Sequence, residues 1–435
     1  MNDRTLKPTL GLFSAVMLAL SVVVGAGMLM LPGLVFETAG RDAYWSWIGD
    51  SLISVPLLWV FIRLGRAHPS AGGVAGFVGA AWPEARAGIA FILLGTFGLG
   101  IPSIALTGGY YVADGLQLGG AGSGGALAAS LVAALMLLAA AAIVGRGATL
   151  ASRWQNVVMV VLIAVLVGLA GSTLPRWGQE VHLPDPTGAP AIWQGMALAF
   201  FSYTGWELFA ALSEEMKNPH RDFPLAVIIS FVAVSLLYVG AALAVQSTVA
   251  PGDSLLARAP FLPIATAALG SGAGAGALAA TVFLVIFANL VGAAWAASRL
   301  VFDMGRNGFL PAALRTEHLD ARATPRAALT MVTALFLAVV AIHAVGGASL
   351  DVLLTLAGQN FFLLYLACVA VFVKVTPNRW ERGFALLSLV GLLAFAQIFG
   401  WSLLYPLALF AIPYLARRIG TAGGRRRPGG PHAAR

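Results

Sequence analysis

The chain has 435 residues, of which 59% are hydrophobic and 10% are charged. A soluble globular protein carries about 25% charged residues, so this composition excludes a soluble protein and indicates many membrane-spanning helices. The formal net charge is +8, but the basic residues lie in short loops between apolar runs. That distribution is typical of a membrane-topology signal and not of nucleic-acid binding.

The chain begins with MNDRTLK and continues into an apolar run that reaches Val35. The hydrophobic region of a signal peptide has about 7–15 residues, so this longer run predicts a retained first helix. Spanning a bilayer takes about 20 mostly apolar residues. We therefore predict an all-α membrane protein with twelve transmembrane helices, at 10–36, 43–63, 87–113, 124–145, 154–174, 191–212, 223–249, 274–301, 326–345, 350–373, 383–399 and 401–416.

The basic residues predict the orientation of these helices. With the N-terminus in the cytoplasm, only Arg41, Arg176 and Arg258 of the 26 basic residues fall outside. Loops rich in Lys and Arg face the cytoplasm, so both termini are predicted to be cytoplasmic. The Gly-rich segment 417–435 is predicted to be a disordered basic tail that contacts anionic lipid.

The first predicted helix contains SVVVGAGMLMLPG, with Gly25, Gly27 and Pro32 near its middle. Glycines two residues apart face different sides of a helix, whereas helix-packing motifs usually place them four apart. Non-helical backbone persists in a membrane only where it lines a cavity or is buried in protein. We interpret the segment as a broken helix, with close helix packing as the alternative for this segment taken alone.

The sixth predicted helix, GMALAFFSYTGWELFAALSEE, is interrupted in a corresponding position by a polar and glycine-containing stretch at 202–207. Paired interruptions in two halves of a chain indicate the binding site of a transporter built from inverted repeats. We predict a first repeat over 1–174, a second over 175–375, and two appended helices within 376–416.

The opened helix ends predict the chemistry of the ligand. Free N–H groups at the start of a half-helix suit a carboxylate, and free carbonyls at the end of one suit an ammonium group. Two broken helices side by side therefore favour a zwitterion such as an α-amino acid. Gly25 and Gly27 carry no side chain, so a carboxylate could approach the backbone closely.

Four segments also carry a family resemblance. They are VVGAGMLMLPG, HPSAGGVAGFVG (68–79), YTGWELFAALSEEMKNPHRDFPLAV (203–227) and SRLVFDMGRNGFLP (298–311). Together they resemble the amino acid–polyamine–organocation transporters over most of residues 10–375. The amino-acid sequences of the second and third segments are similar to those of bacterial exporters of methionine and branched-chain amino acids.

The resemblance implies a LeuT-like inverted-repeat fold, alternating access and an amino acid or amine substrate. It implies a substrate-binding role for Val24, Gly25, Ala26, Gly27, Phe201, Ser202, Tyr203 and Thr204, and a proton-coupling or gating role for Glu207. Some proton-coupled relatives place a lysine in the fifth helix. Here that helix, NVVMVVLIAVLVGLAG, has none, so coupling through another group and simple exchange both stay open.

Ionisable residues at membrane depth are costly and are functional candidates. Glu207 is interpreted either as a proton carrier or as a carboxylate that stabilises the start of its half-helix. For Asp50, a local polar contact is favoured over a coupling role. Interhelical hydrogen bonding is the preferred interpretation of Asn289, Gln359 and Asn360. The charged run after the sixth helix, 214–222, is predicted to be a solvated loop with a gating ion pair.

Apart from Glu207, the core segments contain no carboxylate cluster for a cationic ligand and no buried basic residue for an acidic one. A neutral aliphatic or thioether side chain is therefore favoured. We predict a transporter of the bacterial inner membrane that exports methionine, leucine, isoleucine and valine by proton antiport. The alternative is an importer or exchanger of the same fold with another neutral amino acid or an amine.

A membrane-embedded enzyme is disfavoured because catalysis needs a nucleophile with a base or a set of metal ligands. Cys368 stands alone in its helix, and His343 lies near a helix end without a His-Glu cluster. We therefore predict no metal and no cofactor. A channel is disfavoured because the broken segments offer no ring of charges or carbonyls. The oligomeric state stays open between monomer and homodimer.

Overall fold

The computed structural model describes residues 6–115, 123–185, 188–253, 255–256, 259–395 and 404–423. This part of the chain is nearly all helical, as predicted. Its α-helices are α1 (Leu12–Val23), α2 (Ala26–Ala39), α3 (Ala43–Ala67), α4 (Val74–Ala81), α5 (Arg86–Gly115), α6 (Ser123–Gly145), α7 (Ala148–Gly171), α8 (Leu174–Trp177), α9 (Ala189–Ala199), α10 (Trp206–Ala210), α11 (Pro219–Gln246), α12 (Leu262–Leu269), α13 (Ser271–Arg306), α14 (Arg326–Ala344), α15 (Leu350–Val375), α16 (Arg379–Phe395) and α17 (Leu404–Gly423).

Eight helical stretches within the described residues are long and apolar enough to cross a membrane. They contain α3, α5, α6, α7, α11, α13, α14 and α15, while α1 and α17 provide shorter apolar helices. The all-helical membrane architecture is thus confirmed. The count of twelve spans and the inverted repeat remain predictions.

The predicted helix bounds differ from the observed ones mainly where a helix continues past its apolar core. Helix α7 begins at Ala148 and not at residue 154, and α13 runs on to Arg306 and not to residue 301. Polar and charged residues at these ends extend beyond the hydrocarbon, so hydropathy does not mark where the helical hydrogen bonds stop. Part of the last predicted pair of helices, residues 396–403, lies outside the described residues.

Helices α5 and α13 form the centre of the bundle. Their most apolar windows are each 67% buried, whereas that of α7 is 22% buried. Helix α5 packs against α6, α13, α15 and α17, and α1 packs against α7, α11 and α13. Leucine and valine side chains on the outer faces of α6 and α7 are exposed, which suits contact with lipid. Helix α1 is therefore packed among three continuous helices.

Basic side chains gather at one end of the bundle, which we call the basic end. Arg66 lies in the last turn of α3, Arg86 begins α5, and Arg306 ends α13. The N-terminal segment reaches the same end, where Leu10 forms an isolated parallel bridge with Met216. The end at which α2 finishes and α3 begins is called the opposite end.

Candidate functional site

The first predicted helix is interrupted at its glycines. Helix α1 ends at Val23, Val24 and Gly25 are extended, and α2 begins at Ala26. Pro32 lies inside α2 and does not end it. The first turn of a helix leaves its N–H groups without helical partners, so the first amides of α2 lie at the gap. Of these, the Met28 amide bonds the Gly25 carbonyl at 3.1 Å.

The sixth predicted helix is interrupted at the corresponding place. Helix α9 ends at Ala199, a 3-10 turn covers Phe200–Tyr203, and α10 begins at Trp206. Gly205 has φ of +124°, and a Cβ built there would lie 2.6 Å from the carbonyl oxygen of Val22. Only glycine suits this left-handed conformation and this close approach. The two interruptions thus contact each other directly.

Two side chains from surrounding helices bond the carbonyls freed by the breaks. The Asn289 amide of α13 donates to the carbonyls of Ser21 and Val22, at 3.0 and 3.2 Å. The Tyr238 hydroxyl of α11 donates to the carbonyl of Ser202 at 2.9 Å. The predicted interhelical role of Asn289 is confirmed, and all three bonds satisfy backbone groups that hydrocarbon cannot.

A cavity of about 250 Å³ lies against both breaks. This volume is a little below the range of about 300–1,000 Å³ for drug-sized ligands, so it suits a single small molecule. Four of the predicted substrate-binding residues line it: Gly25, Gly27, Ser202 and Thr204. The rest of the lining is mostly aliphatic and aromatic and comes from α1, α2, α5, α10 and α15. No charged side chain of the described residues is among the lining residues.

Other predicted substrate-binding residues lie elsewhere. Val24 is buried but does not line the cavity. Tyr203 points away toward α3 and α11, where its hydroxyl lies 2.7 Å from the Ser51 Oγ. The side chains of Ala26 and Phe201 lie outside the described residues. Because consecutive residues point in different directions, a contiguous motif cannot supply all its side chains to one pocket.

Exposure of the cavity lining rises toward the opposite end. Gly25 and Asn289, at the breaks, are buried, whereas Leu34, Thr107 and Leu354 are partly exposed. Leu34 is near the end of α2 and Leu354 near the start of α15, so this partly exposed portion of the lining lies toward the opposite end.

Glu207 lies in the first turn of α10 and is 1% exposed. Its Oε2 accepts a hydrogen bond from the Tyr365 hydroxyl of α15 at 2.8 Å. The other carboxyl oxygen, Oε1, is buried without a hydrogen-bond partner among the described residues. Glu207 does not line the cavity. It lies directly behind the sixth-helix break, so its protonation and the geometry of that break are physically connected.

Other polar side chains at membrane depth lack hydrogen-bond partners among the described residues. Asp50 is fully buried in α3, and neither of its carboxyl oxygens has a hydrogen-bond partner in the described chain. The local polar contact predicted for it is therefore not observed. The same holds for the side-chain amides of Gln359 and Asn360, whose predicted interhelical bonds are also not observed.

The basic end is closed by a network of ion pairs. Arg86 donates to both carboxyl oxygens of Asp303, at 3.0 and 2.8 Å. Arg306 bonds Glu214 at 2.7 and 2.9 Å and Asp303 at 2.7 Å. Burial opposes ionisation of Glu214, but the hydrogen bonds and charge of Arg306 outweigh it and lower the pKa of this carboxyl. The network joins α5, α13 and the segment after α10.

A second, fully buried pair lies beside this network. The Arg299 side chain of α13 pairs with the Glu215 carboxylate, which also accepts a bond from the Trp295 indole at 2.9 Å. The amides of Thr9 and Leu10 donate to the Glu215 carbonyl, each at 2.9 Å. The charged run after the sixth helix was thus only partly predicted: it contains ion pairs, but Glu215 is buried and not solvated.

The sequence reasoning did not identify Arg299, Asp303 and Arg306 as members of these networks. Their spacing of four and three residues places them on one face of a helix, and such a charged face at the end of an apolar helix was the available signal. Tyr365 had no comparable signal, because a single tyrosine in an apolar run is compatible with many contacts. Among the described residues, no group of three His, Cys, Asp or Glu side chains could hold a metal ion.

Comparison with known proteins finds relatives over almost the whole chain. A family model described as amino acid permease matches residues 10–416. An uncharacterized amino acid permease of Bacillus subtilis (strain 168), YecA, is 29% identical and aligns with 94% of this chain and 95% of its own. The L-methionine/branched-chain amino acid exporter YjeH of Escherichia coli (strain K12) is 30% identical, with 93% and 95% aligned.

One solved structure reports on the fold alone. The crystal structure of MhsT in complex with L-phenylalanine matches with a TM-score of 0.60 and 17% identity, over 92% of this chain and 100% of MhsT. The two proteins therefore share a fold. From the match over residues 10–416, the chain is a multi-pass membrane transporter that belongs to the amino acid permease family.

Proposed function

We propose that this chain is a secondary transporter that exports methionine, leucine, isoleucine and valine in exchange for protons, by alternating access. The observation that carries the proposal is the cavity at the two helix breaks. Its lining joins Gly25 and Gly27, at the start of α2, with apolar side chains and contains no charged side chain of the described residues. The amides suit a carboxylate, and the lining suits a neutral hydrophobic side chain.

Hydrogen-bonding groups for the rest of the ligand are present at the same place. The Ser202 Oγ and the Asn289 Oδ1 are buried without a hydrogen-bond partner among the described residues, and both residues line the cavity. Buried polar atoms are usually paired. An ammonium group donates to such oxygens, so they fit the other end of a zwitterion. Val24, Ala26, Phe201 and Tyr203 are retained as proposed contributors through the backbone around the breaks.

The charge distribution supports an orientation with the basic end in the cytoplasm, and with it both termini. In that orientation the cavity is accessible from outside and the ion-pair network closes the inside. This is the state from which an exporter releases its ligand. Twelve spans in two inverted repeats and residence in the bacterial inner membrane are part of the same proposal.

Export and this substrate class are further supported by the likeness to YjeH, an L-methionine/branched-chain amino acid exporter. Glu207 is the proposed proton carrier because it is buried beside the sixth-helix break and bonded to Tyr365. An ionised carboxylate is costly at this depth, so a transport cycle can alternate between its two protonation states.

The test uses purified protein in vesicles preloaded with unlabelled methionine, leucine, arginine or glutamate. Entry of labelled methionine is followed with and without a pH gradient. We expect entry driven by internal methionine or leucine but not by arginine or glutamate, with stimulation by the gradient. Equal entry with internal arginine would contradict the substrate class, and no effect of pH would contradict proton antiport.

Two further arms separate the export proposal from its rivals. Cells lacking the protein and cells containing it are loaded with labelled methionine, and efflux is compared with uptake. An importer would accelerate uptake in energised cells, whereas the proposed exporter accelerates efflux. In vesicles, Glu207→Gln is expected to lose stimulation by the pH gradient. Unchanged stimulation would exclude Glu207 as the proton carrier.

A further inference from the structure

A second buried carboxyl group lies in α3, on the side of the sixth-helix break away from the cavity. Asp50 is seven residues from the start of α3, which is about 10 Å along the helix at 1.5 Å per residue. It is 0% exposed, and neither oxygen has a hydrogen-bond partner within the described ranges. A carboxyl group in this position is costly as an anion, so a functional reason for it is expected.

The titratable groups around α3 do not provide a cation for Asp50. The packed neighbours of α3 are α2, α9, α11, α15, α16 and the 3-10 turns Gly40–Asp42 and Phe200–Tyr203. Their titratable side chains are Glu37, Arg41, Asp42, Tyr203, His220, Arg221, Asp222, Tyr238, Asp351, Tyr365, Cys368, Lys374, Arg379, Glu381 and Arg382. Arg41 lies just before the start of α3, where its side chain bonds the Gln179 carbonyl. Tyr203 is within electrostatic range of Asp50, and Tyr238 packs on the neighbouring Trp47 with ring centroids 4.9 Å apart. Arg63 of α3 itself pairs with Glu381 at the basic end.

A series of side-chain hydroxyl groups leads from Asp50 toward Glu207. Ser54 follows Asp50 by one helical turn on the same face of α3, and its buried Oγ also has no hydrogen-bond partner in the described chain. Ser54, Tyr203 and Tyr365 line one small cavity, with about 10 Å³ of space. That is about the space of a single water molecule. Tyr365 completes the line through its 2.8 Å bond to Glu207.

We propose that Asp50 is a second proton-binding site and that protons pass between Asp50 and Glu207 through Ser54, the small cavity and Tyr365. In each transfer a hydroxyl gives its proton to the next acceptor and receives one from the preceding donor. The hydroxyls are therefore unchanged, one carboxyl group is deprotonated and the other is protonated. The inference rests on the proposed proton antiport and adds a second carboxyl group to it.

The path runs outside the substrate cavity, since neither Asp50 nor Ser54 nor Tyr365 lines it. The sixth-helix segment from Ser202 to Glu207 contributes to both, and so does α15. Substrate and proton then take separate routes that share these two elements, which is what coupling between them requires.

The test measures methionine flux and proton flux in the same vesicles, the latter with an internal pH-sensitive dye. We expect Asp50→Asn to reduce proton flux per methionine by about 100-fold, the lower end of what a positioned proton-transfer group contributes. Asp50→Glu should retain coupling, and Ser54→Ala should slow proton flux. Ser130→Ala is the matched control, because Ser130 is buried in α6 and bonds only its own helix, at 2.8 Å to Ala126.

The outcomes separate this inference from the proposed function. If wild-type protein moves no protons with methionine, proton antiport fails and the path fails with it. If wild type is coupled and Asp50→Asn is equally coupled, only the path is overturned. If Asp50→Asn does not fold, Ser54→Ala and Tyr365→Phe decide, and wild-type proton flux in both would overturn the path.

Discussion

The most direct test of the cavity as a ligand-binding site is to add a methyl group at the first-helix break, in the variant Gly27→Ala. A Cβ at Gly27 would lie 2.8 Å from the Ser202 Oγ and 3.2 Å from a methyl group of Leu31. The Ser202 side chain has no hydrogen-bond partner within the described residues and can rotate to make room. Alanine is also a better helix former than glycine, so α2 should persist in Gly27→Ala.

We expect the methyl group added in Gly27→Ala to weaken ligand binding, although the fold accommodates it. The proposed ligand carboxylate approaches the amides at the start of α2, and a methyl group there holds it away. Losing one hydrogen bond to a charged group costs about 1.5–3 kcal/mol. At about 1.4 kcal/mol for each tenfold change, the Kd for methionine should rise by about 10- to 150-fold.

Equilibrium binding of labelled methionine to purified protein measures this change, with thermal unfolding as a check on folding. Gly168→Ala is the matched control, because a Cβ at Gly168 of α7 would meet nothing within 4 Å. We expect wild-type binding in the control. A wild-type Kd in a well-folded Gly27→Ala protein would refute carboxylate binding at this turn.

Three further predictions concern the breaks and the basic end. Gly205→Ala should abolish transport and lower the Tm, because its Cβ would lie 2.6 Å from the Val22 carbonyl oxygen at φ of +124°; an active, stable variant would contradict the close contact between the breaks. Asn289→Ala should destabilise the protein by about 1–3 kcal/mol, because it leaves two buried carbonyls unpaired, and an unchanged Tm in thermal unfolding would contradict this. Because the pKa of Glu214 is lowered, its ion pair stabilises the folded protein at pH values above the usual carboxyl pKa. This stabilisation is lost only as the pH falls through the lowered pKa. The basic end should therefore stay closed from pH 8 to pH 5 but open in Glu214→Gln, as measured by thiol labelling of an added Ser213→Cys; labelling that rises in wild type over this range would contradict the assignment.

Several features could be predicted from particular residues. Gly25 and Gly27 predicted the interruption between α1 and α2, because glycine removes the side-chain contacts that keep a helix regular and the break requires extended backbone. The stretch around Gly205 predicted the second interruption for the same reason. Asn289 was expected to bond between helices, and it does so at the carbonyls of Ser21 and Val22.

Other features could not be predicted because they depend on the direction of single side chains. Tyr203 belongs to the predicted motif, but the 3-10 turn directs it toward Ser51 and away from the cavity. Glu207 was identified as a buried acid, but its partner Tyr365 lies 158 positions further along the chain. No local pattern specifies that pairing.

By itself the sequence determined the membrane environment, the helical class and the positions of the two breaks. These follow from composition, from hydropathy over about 20 residues and from the backbone freedom of glycine, all of which are local properties. Only the tertiary structure decided which residues line the cavity, how the ion pairs of Glu214, Asp303 and Arg306 close one end, and that Ser54 shares a small cavity with Tyr203 and Tyr365. Those relations join distant segments, and they are fixed by how helices pack and rotate against one another.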